Sequence, residues 1–149
     1  MSLKATYHQH GITFCYPEGW ELVEETQDDV ITITATDAGP FWSLSLLQRR
    51  PRATQVLAEA IAAFRDEYDD VDDYPAQTLL NGEPAESRNL EFVSLELINC
   101  VFLSAVEAGG RTLFVMTQVT DHERADYEQQ FEEITASVQI DPDDTLEII

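Results

Sequence analysis

Two long runs in the second half of the chain, NLEFVSLELINCVFLSAVE and RTLFVMTQV, are apolar on both parities. In the first, Leu97, Val101 and Leu103 fall on one face while Ile98, Cys100 and Phe102 take the other; in the second, Leu113 and Val115 oppose Phe114 and Met116. A strand with one wet face alternates apolar and polar residues. Strands that are apolar on both sides belong in the middle of a layered structure or under a partner subunit. The rest of the chain, or a partner subunit, must therefore cover both faces of one sheet.

Two helical stripes meet that demand. Thr54, after Pro51, is the expected N-cap of a helix on which Leu57, Ile61, Phe64 and Tyr68 recur at helical spacing. Thr120 and Glu123 form a capping box ahead of a second stripe, Tyr127, Phe131, Ile134 and Val138. Earlier in the chain, Ile12 to Tyr16 alternate as a strand, and Pro17-Glu18-Gly19 reads as a turn with Pro17 second and Gly19 fourth. Trp20 and Leu22 restart the alternation on a returning strand, which places Trp20 in the core. Val30 to Thr36 is a β-branched strand, and FWSLSLLQR is another with Trp42, Leu44 and Leu46 on one face. Asn81-Gly82 marks a hairpin, Gly109-Gly110 a turn between the last runs, and DPDDTLEII a tail.

The expected architecture is a single α+β domain spanning residues 1–149. It is an α/β/α sandwich around a largely antiparallel sheet, in the order strands, helix, strands, helix. Two such helices cover only part of a sheet of roughly seven or eight strands, so apolar sheet surface is expected to remain for a weak homodimer or a protein partner.

Charge narrows the partner classes. Twenty-nine acids against eight Lys and Arg give a net charge of −21, which disfavours nucleic acid and anionic lipid surfaces and leaves basic proteins and cations. The start MSLKATYHQHG has no hydrophobic leader or lipidation cysteine, and Cys15 and Cys100 lie in apolar runs as reduced thiols do. A cytoplasmic protein without a membrane span is the expectation.

The order of elements, with GITFCYPEGW near the start and FEEITASVQI at the close, resembles the PsbP-like superfamily over Tyr7 to Ile140. That superfamily includes extrinsic oxygen-evolving subunits of photosystem II, a yeast Ran-binding nuclear import factor and bacterial DcrB-like proteins. The first motif matches its aromatic-x-hydrophobic-Pro-x-x-Trp opening, and the second its closing helix. The resemblance implies an α/β/α sandwich used as a binding module, with no shared active site. The lack of a transit peptide argues against a photosystem role, and the lack of a lipobox against an envelope lipoprotein. Some DcrB-like relatives are acidic chaperones for apolar segments, but no motif here transfers that activity to named residues.

Candidate sites are few. Asp66, Glu67, Asp69, Asp70, Asp72 and Asp73 cluster at the exit of the first helix and form the expected partner-binding acidic surface. They do not form a calcium loop: counted from Asp66, the sixth residue is Val71 and the twelfth Gln77, where glycine and glutamate are needed. His8 and His10 could share one strand face but lack further metal ligands nearby. Cys15 or Cys100 with His122 makes only a formal nucleophile–base pair, since His122 belongs to the first turn of a helix. No cofactor is expected. The leading reading is a non-enzymatic, protein-binding adaptor or chaperone-like domain. Its competitor is a small-ligand-binding or hydrolytic protein with a pocket between sheet and helix, which converging polar groups in an apolar cavity would favour.

Overall fold

The computed structural model describes residues 3–141. Its elements in chain order are β1 (Ala5–Gln9), β2 (Ile12–Tyr16), β3 (Glu21–Gln27), β4 (Val30–Thr36), β5 (Phe41–Leu47), α1 (Ala53–Glu67), β6 (Asp72–Pro75), β7 (Thr78–Leu80), β8 (Glu83–Ser94), β9 (Leu97–Ala108), β10 (Arg111–Thr120), α2 (Asp121–Ser137) and β11 (Gln139–Ile140). Of the tail only Asp141 belongs to the described residues. An eight-stranded sheet runs β3-β4-β5-β10-β9-β8-β6, with β7 paired to β8, and a three-stranded sheet runs β1-β2-β11. Every recorded pairing is antiparallel.

The two-faced strands lie where their composition requires. Val101, Leu103 and Ala105 of β9 are buried with Leu57 and Ile61 of α1. Cys100 and Val106 of the same strand are buried on the opposite side with Phe131 and Ile134 of α2. The helices therefore sandwich the centre of the sheet. The small sheet extends α2's layer: Phe14 of β2 packs at a tilt against Trp42 of β5 at 4.8 Å between centroids, and both are fully buried. Burial of one such ring contributes roughly 1.5–3 kcal/mol.

The first turn departs from the sequence reading. Trp20 N–H donates to the Pro17 carbonyl, so Pro17 is the first turn residue, and Gly19 takes the third position at φ +95°. That φ is what a type II turn demands there, and it favours glycine. The chain does not return on β2. The turn carries it out of the small sheet to β3, the edge of the large one. Trp20 is consequently only half-buried, packed against Tyr127 and Phe131 of α2, and Trp42 is the core tryptophan.

Three further expectations are corrected. The N-cap of α1 is Arg52, not Thr54, and its side chain makes no capping bond. Instead the Glu107 carboxylate of β9 accepts the Ala53 N–H at 3.1 Å. The run from Asn89 to Glu107 is two strands joined by Leu95-Glu96, both at positive φ. Finally, α1 packs on β8, β9 and β10, and the sheet face beyond it presents hydroxyls: Thr32 and Ser45 are bonded to each other at 3.0 Å. The apolar sheet face expected for a partner is not found at that location. The capping box of α2 is present, with Glu123 accepting from both the N–H and the hydroxyl of Thr120.

Candidate functional site

On α2's side of the sheet the strand positions beneath the helix include small polar residues. Ser104 of β9 faces Ser87 of β8 with their hydroxyls 3.2 Å apart, and Thr117 of β10 sits opposite Phe102 of β9. Serine and threonine do not fill the space a leucine would, which leaves a gap beneath α2. The result is a cleft of about 390 Å³ between α2 and β7 to β10. Its apolar walls include Phe102, Val115 and Phe131, with Leu79 at the β7 side; Asn89, Ser104 and Thr117 supply polar groups from the sheet. Glu128, Glu132 and Thr135 enter from α2.

Polar accounting singles out Thr117. The residue is 3 % exposed, and its hydroxyl is buried with no hydrogen-bond partner. A buried polar atom left unpaired costs roughly 1–3 kcal/mol, so it marks a position where a partner belongs. Thr135 differs: it accepts the Trp42 indole N–H and donates to the Phe131 carbonyl, each at 2.9 Å.

A smaller hollow of about 240 Å³ adjoins the cleft and shares Asn89 and Phe102 with it. Arg124 of α2 occupies its wall, with its guanidinium 5.1 Å from the Phe102 ring centroid and its Nε donating to Glu128 at 2.8 Å. Cys100 lies here too. Burial pushes its thiol pKa up, against the pull of Arg124, so it is a protonated and weak nucleophile.

The other sequence candidates disperse. His8 and His10 do not form a pair: His10 leaves β1 at φ +57° in the turn, where its Nε2 meets Glu24 at 3.0 Å, while His8 meets Asp141 at 2.7 Å. The Tyr7 hydroxyl, first, and then His10 hold the Glu24 carboxyl below its ordinary pKa. His122 is exposed in the first turn of α2 beside Asp121, and among the described residues no hydrogen bond joins a cysteine to a histidine. No group of three or more His, Cys, Asp or Glu among the described residues is arranged to hold a metal. Of the six exit acids, Asp66, Glu67, Asp69, Asp70 and Asp72 are exposed. Asp73 is not part of that surface. Its carboxylate is largely covered, accepting from Arg88 at 2.7 Å and lying 3.6 Å from Arg65.

The sequence reading passed over the cleft residues. Their signal was present: Thr117 interrupts the apolar parity of Leu113, Val115 and Val119, and Ser104 interrupts that of Cys100, Phe102 and Val106.

No protein-family model matches the chain, and no curated protein matches it in sequence. Solved structures do resemble it. Cyanobacterial PsbP from Synechocystis superposes with a TM-score of 0.61 at 13% identity, covering 91% of each chain. LpqN, involved in cell envelope biogenesis of Mycobacterium tuberculosis, gives 0.58 at 16% identity over 93% of this chain and 90% of that one. A Bacteroides thetaiotaomicron protein gives 0.60 at 13% identity, over 93% of this chain but 49% of its own length. At these identities the likeness concerns the fold: the chain has the α+β fold of PsbP. No helix among the described residues is long and apolar enough to cross a membrane.

Proposed function

We propose that the chain is a non-catalytic binding protein that takes a small amphipathic molecule into the cleft between α2 and the sheet. The carrying observation is the unpartnered hydroxyl of Thr117 on the floor of a cleft whose walls combine Phe102, Val115 and Phe131 with a few polar side chains. Ligand sites combine such walls with a few placed polar groups. The dispersal of His8, His10 and His122, and the protonated Cys100, support binding rather than hydrolysis. Free thiols at Cys15 and Cys100 suit a reducing compartment such as the cytoplasm.

The test is a fragment screen by ligand-observed NMR, run in parallel on the parent and on Ala136→Trp. Ala136 is an exposed cleft residue on α2, so a tryptophan there fills the mouth without disturbing the core. Fragments that bind the parent and not an equally stable Ala136→Trp support the reading. An empty screen, or fragments indifferent to the substitution, sink it.

One observation favours protein binding as a second reading. Val93, Leu95, Leu97 and Ile98 are 64, 92, 39 and 42 % exposed at the tip of the β8–β9 hairpin. Val93 and Ile98 are cross-strand partners, and exposed apolar side chains grouped at one end of a sheet are a feature of partner surfaces. Sedimentation over a wide concentration range, and affinity capture with the parent and Leu95→Ser, would separate a homodimer from a dedicated partner; a monomer with an identical capture profile for both proteins removes this reading.

A further inference from the structure

We propose that the cleft selects a cation: a primary ammonium carried on an aryl or alkyl body, with its charge at Glu132 and its body against Phe102 and Phe131. This rests on the cleft reading above and names the ligand class for it.

The lining holds two carboxylates, Glu128 and Glu132, and no Lys, Arg or His. An anion would find no counter-charge there, and the field of a chain at −21 would oppose its entry. Glu128 and Glu132 are four residues apart on α2; Arg124 pairs with Glu128 at 2.8 Å, so Glu132 is the carboxylate offered to a ligand. The floor adds a second and independent requirement. The Thr117 hydroxyl lacks a partner, and Asn89 and Ser104 place further oxygens along the same wall. An ammonium brings three donors and no acceptor, so it can bond such oxygens and a carboxylate together.

The adjoining hollow contains an intramolecular precedent. There the chain seats its own cation, Arg124, over the Phe102 ring and against Glu128. Phe102 also lines the larger cleft, where Glu132 lies one helical turn beyond Glu128. An aromatic ring with an α2 carboxylate thus recurs in the larger cleft, with space in place of the guanidinium. Cation–π contact and a charged hydrogen bond together discriminate an ammonium from an uncharged isostere.

The experiment compares phenethylamine, phenethyl alcohol and phenylacetate by calorimetry at neutral pH. Four proteins are used: the parent, Glu132→Gln, Ala136→Trp, and an Asp69→Asn/Asp70→Asn control that removes the same sign of charge from the exposed exit loop. The amine should bind the parent about tenfold more tightly than the alcohol, with phenylacetate weakest. That preference should fall with added salt, shrink in Glu132→Gln and persist in the exit-loop control. An amine that does not bind, binds no better than the alcohol, or keeps its advantage in Glu132→Gln overturns the cation class. Alcohol binding that Ala136→Trp still abolishes would then leave the cleft reading standing. Binding of every probe unchanged in Ala136→Trp removes both.

Discussion

The indole N–H of Trp42 donates to Oγ1 of Thr135 at 2.9 Å, tying a fully buried residue near the start of β5 to the last turn of α2. The same hydroxyl donates to the Phe131 carbonyl, so one side chain both accepts and donates inside the core. Thr135→Val keeps the shape and strands the indole N–H. We expect a loss of about 1–3 kcal/mol by urea unfolding. A variant as stable as the parent would show that the indole is satisfied elsewhere.

Glu107, on the fourth strand after the helix it serves, holds the first N–H of α1 while its other oxygen pairs with Arg50 at 3.3 Å. Its carboxylate also complements the positive end of the helix dipole. Glu107→Ala should cost about 1 kcal/mol, the usual worth of a cap, whereas Thr54→Ala should be neutral. Equal effects would restore Thr54 as the cap.

Acid and alkali should weaken the clasp between the small sheet and β3 at separate pH limits. Glu24 is held below its ordinary pKa chiefly by the Tyr7 hydroxyl, so its contribution is present above the unfolded carboxylate pKa of about 4 and is lost as pH falls through the lower folded value. Tyr7 is raised, first by burial and then by Glu24. Its contribution is present below the unfolded tyrosine pKa of about 10 and is lost at higher pH. The stability difference between the parent and Glu24→Gln should therefore narrow below about pH 4. The difference from Tyr7→Phe should narrow only above about pH 10. A Glu24→Gln difference that persists undiminished well below about pH 4, or a Tyr7→Phe difference unchanged above about pH 10, contradicts this assignment.

Leu95 and Glu96 turn the β8–β9 hairpin at φ 54° and 64°, values that L side chains adopt at a cost. A two-residue loop with both φ positive favours Asn-Gly, as Asn81-Gly82 shows in the preceding hairpin. Replacing Leu95-Glu96 by Asn-Gly should raise stability by about 1–2 kcal/mol, read from the urea midpoint. No gain would mean that the exposed leucine contributes to the fold.

Asp73 differs from its acidic neighbours in bonding Arg88 and facing Arg65. Asp73→Ala should lower the urea midpoint measurably, while Asp69→Ala and Asp70→Ala stay within about 0.5 kcal/mol of the parent. Melts with calcium and with EDTA should coincide, because five exposed carboxylates at a helix exit do not form a calcium cage. A calcium-dependent rise abolished by those same substitutions would reverse that view.

What could be read from the sequence was what a few neighbouring residues settle among themselves. The double parity of β9 and β10 required cover on both faces, and the helical stripes supplied it through Leu57, Ile61, Phe131 and Ile134. The capping box at Thr120 and the Asn81-Gly82 hairpin are local chemistry, and both stand in the structure. Even the two residues beneath the cleft were visible as polar breaks in an apolar parity, although nothing local says what lies opposite a break. Tertiary structure decided the remainder. A turn at Pro17 to Gly19 looks the same whether the next strand returns or departs, and only long-range pairing sent β3 to another sheet. The cap of α1 comes from Glu107 because folding brings a distant carboxylate to it, and Leu95-Glu96 turns because β8 and β9 pair on either side and outweigh a poor local preference. The cleft has the same origin. Ser104, Thr117 and Glu132 are unremarkable in their own segments, and they line one cleft only where the packing of Phe131 and Ile134 sets α2 at a height that small hydroxyl side chains cannot fill.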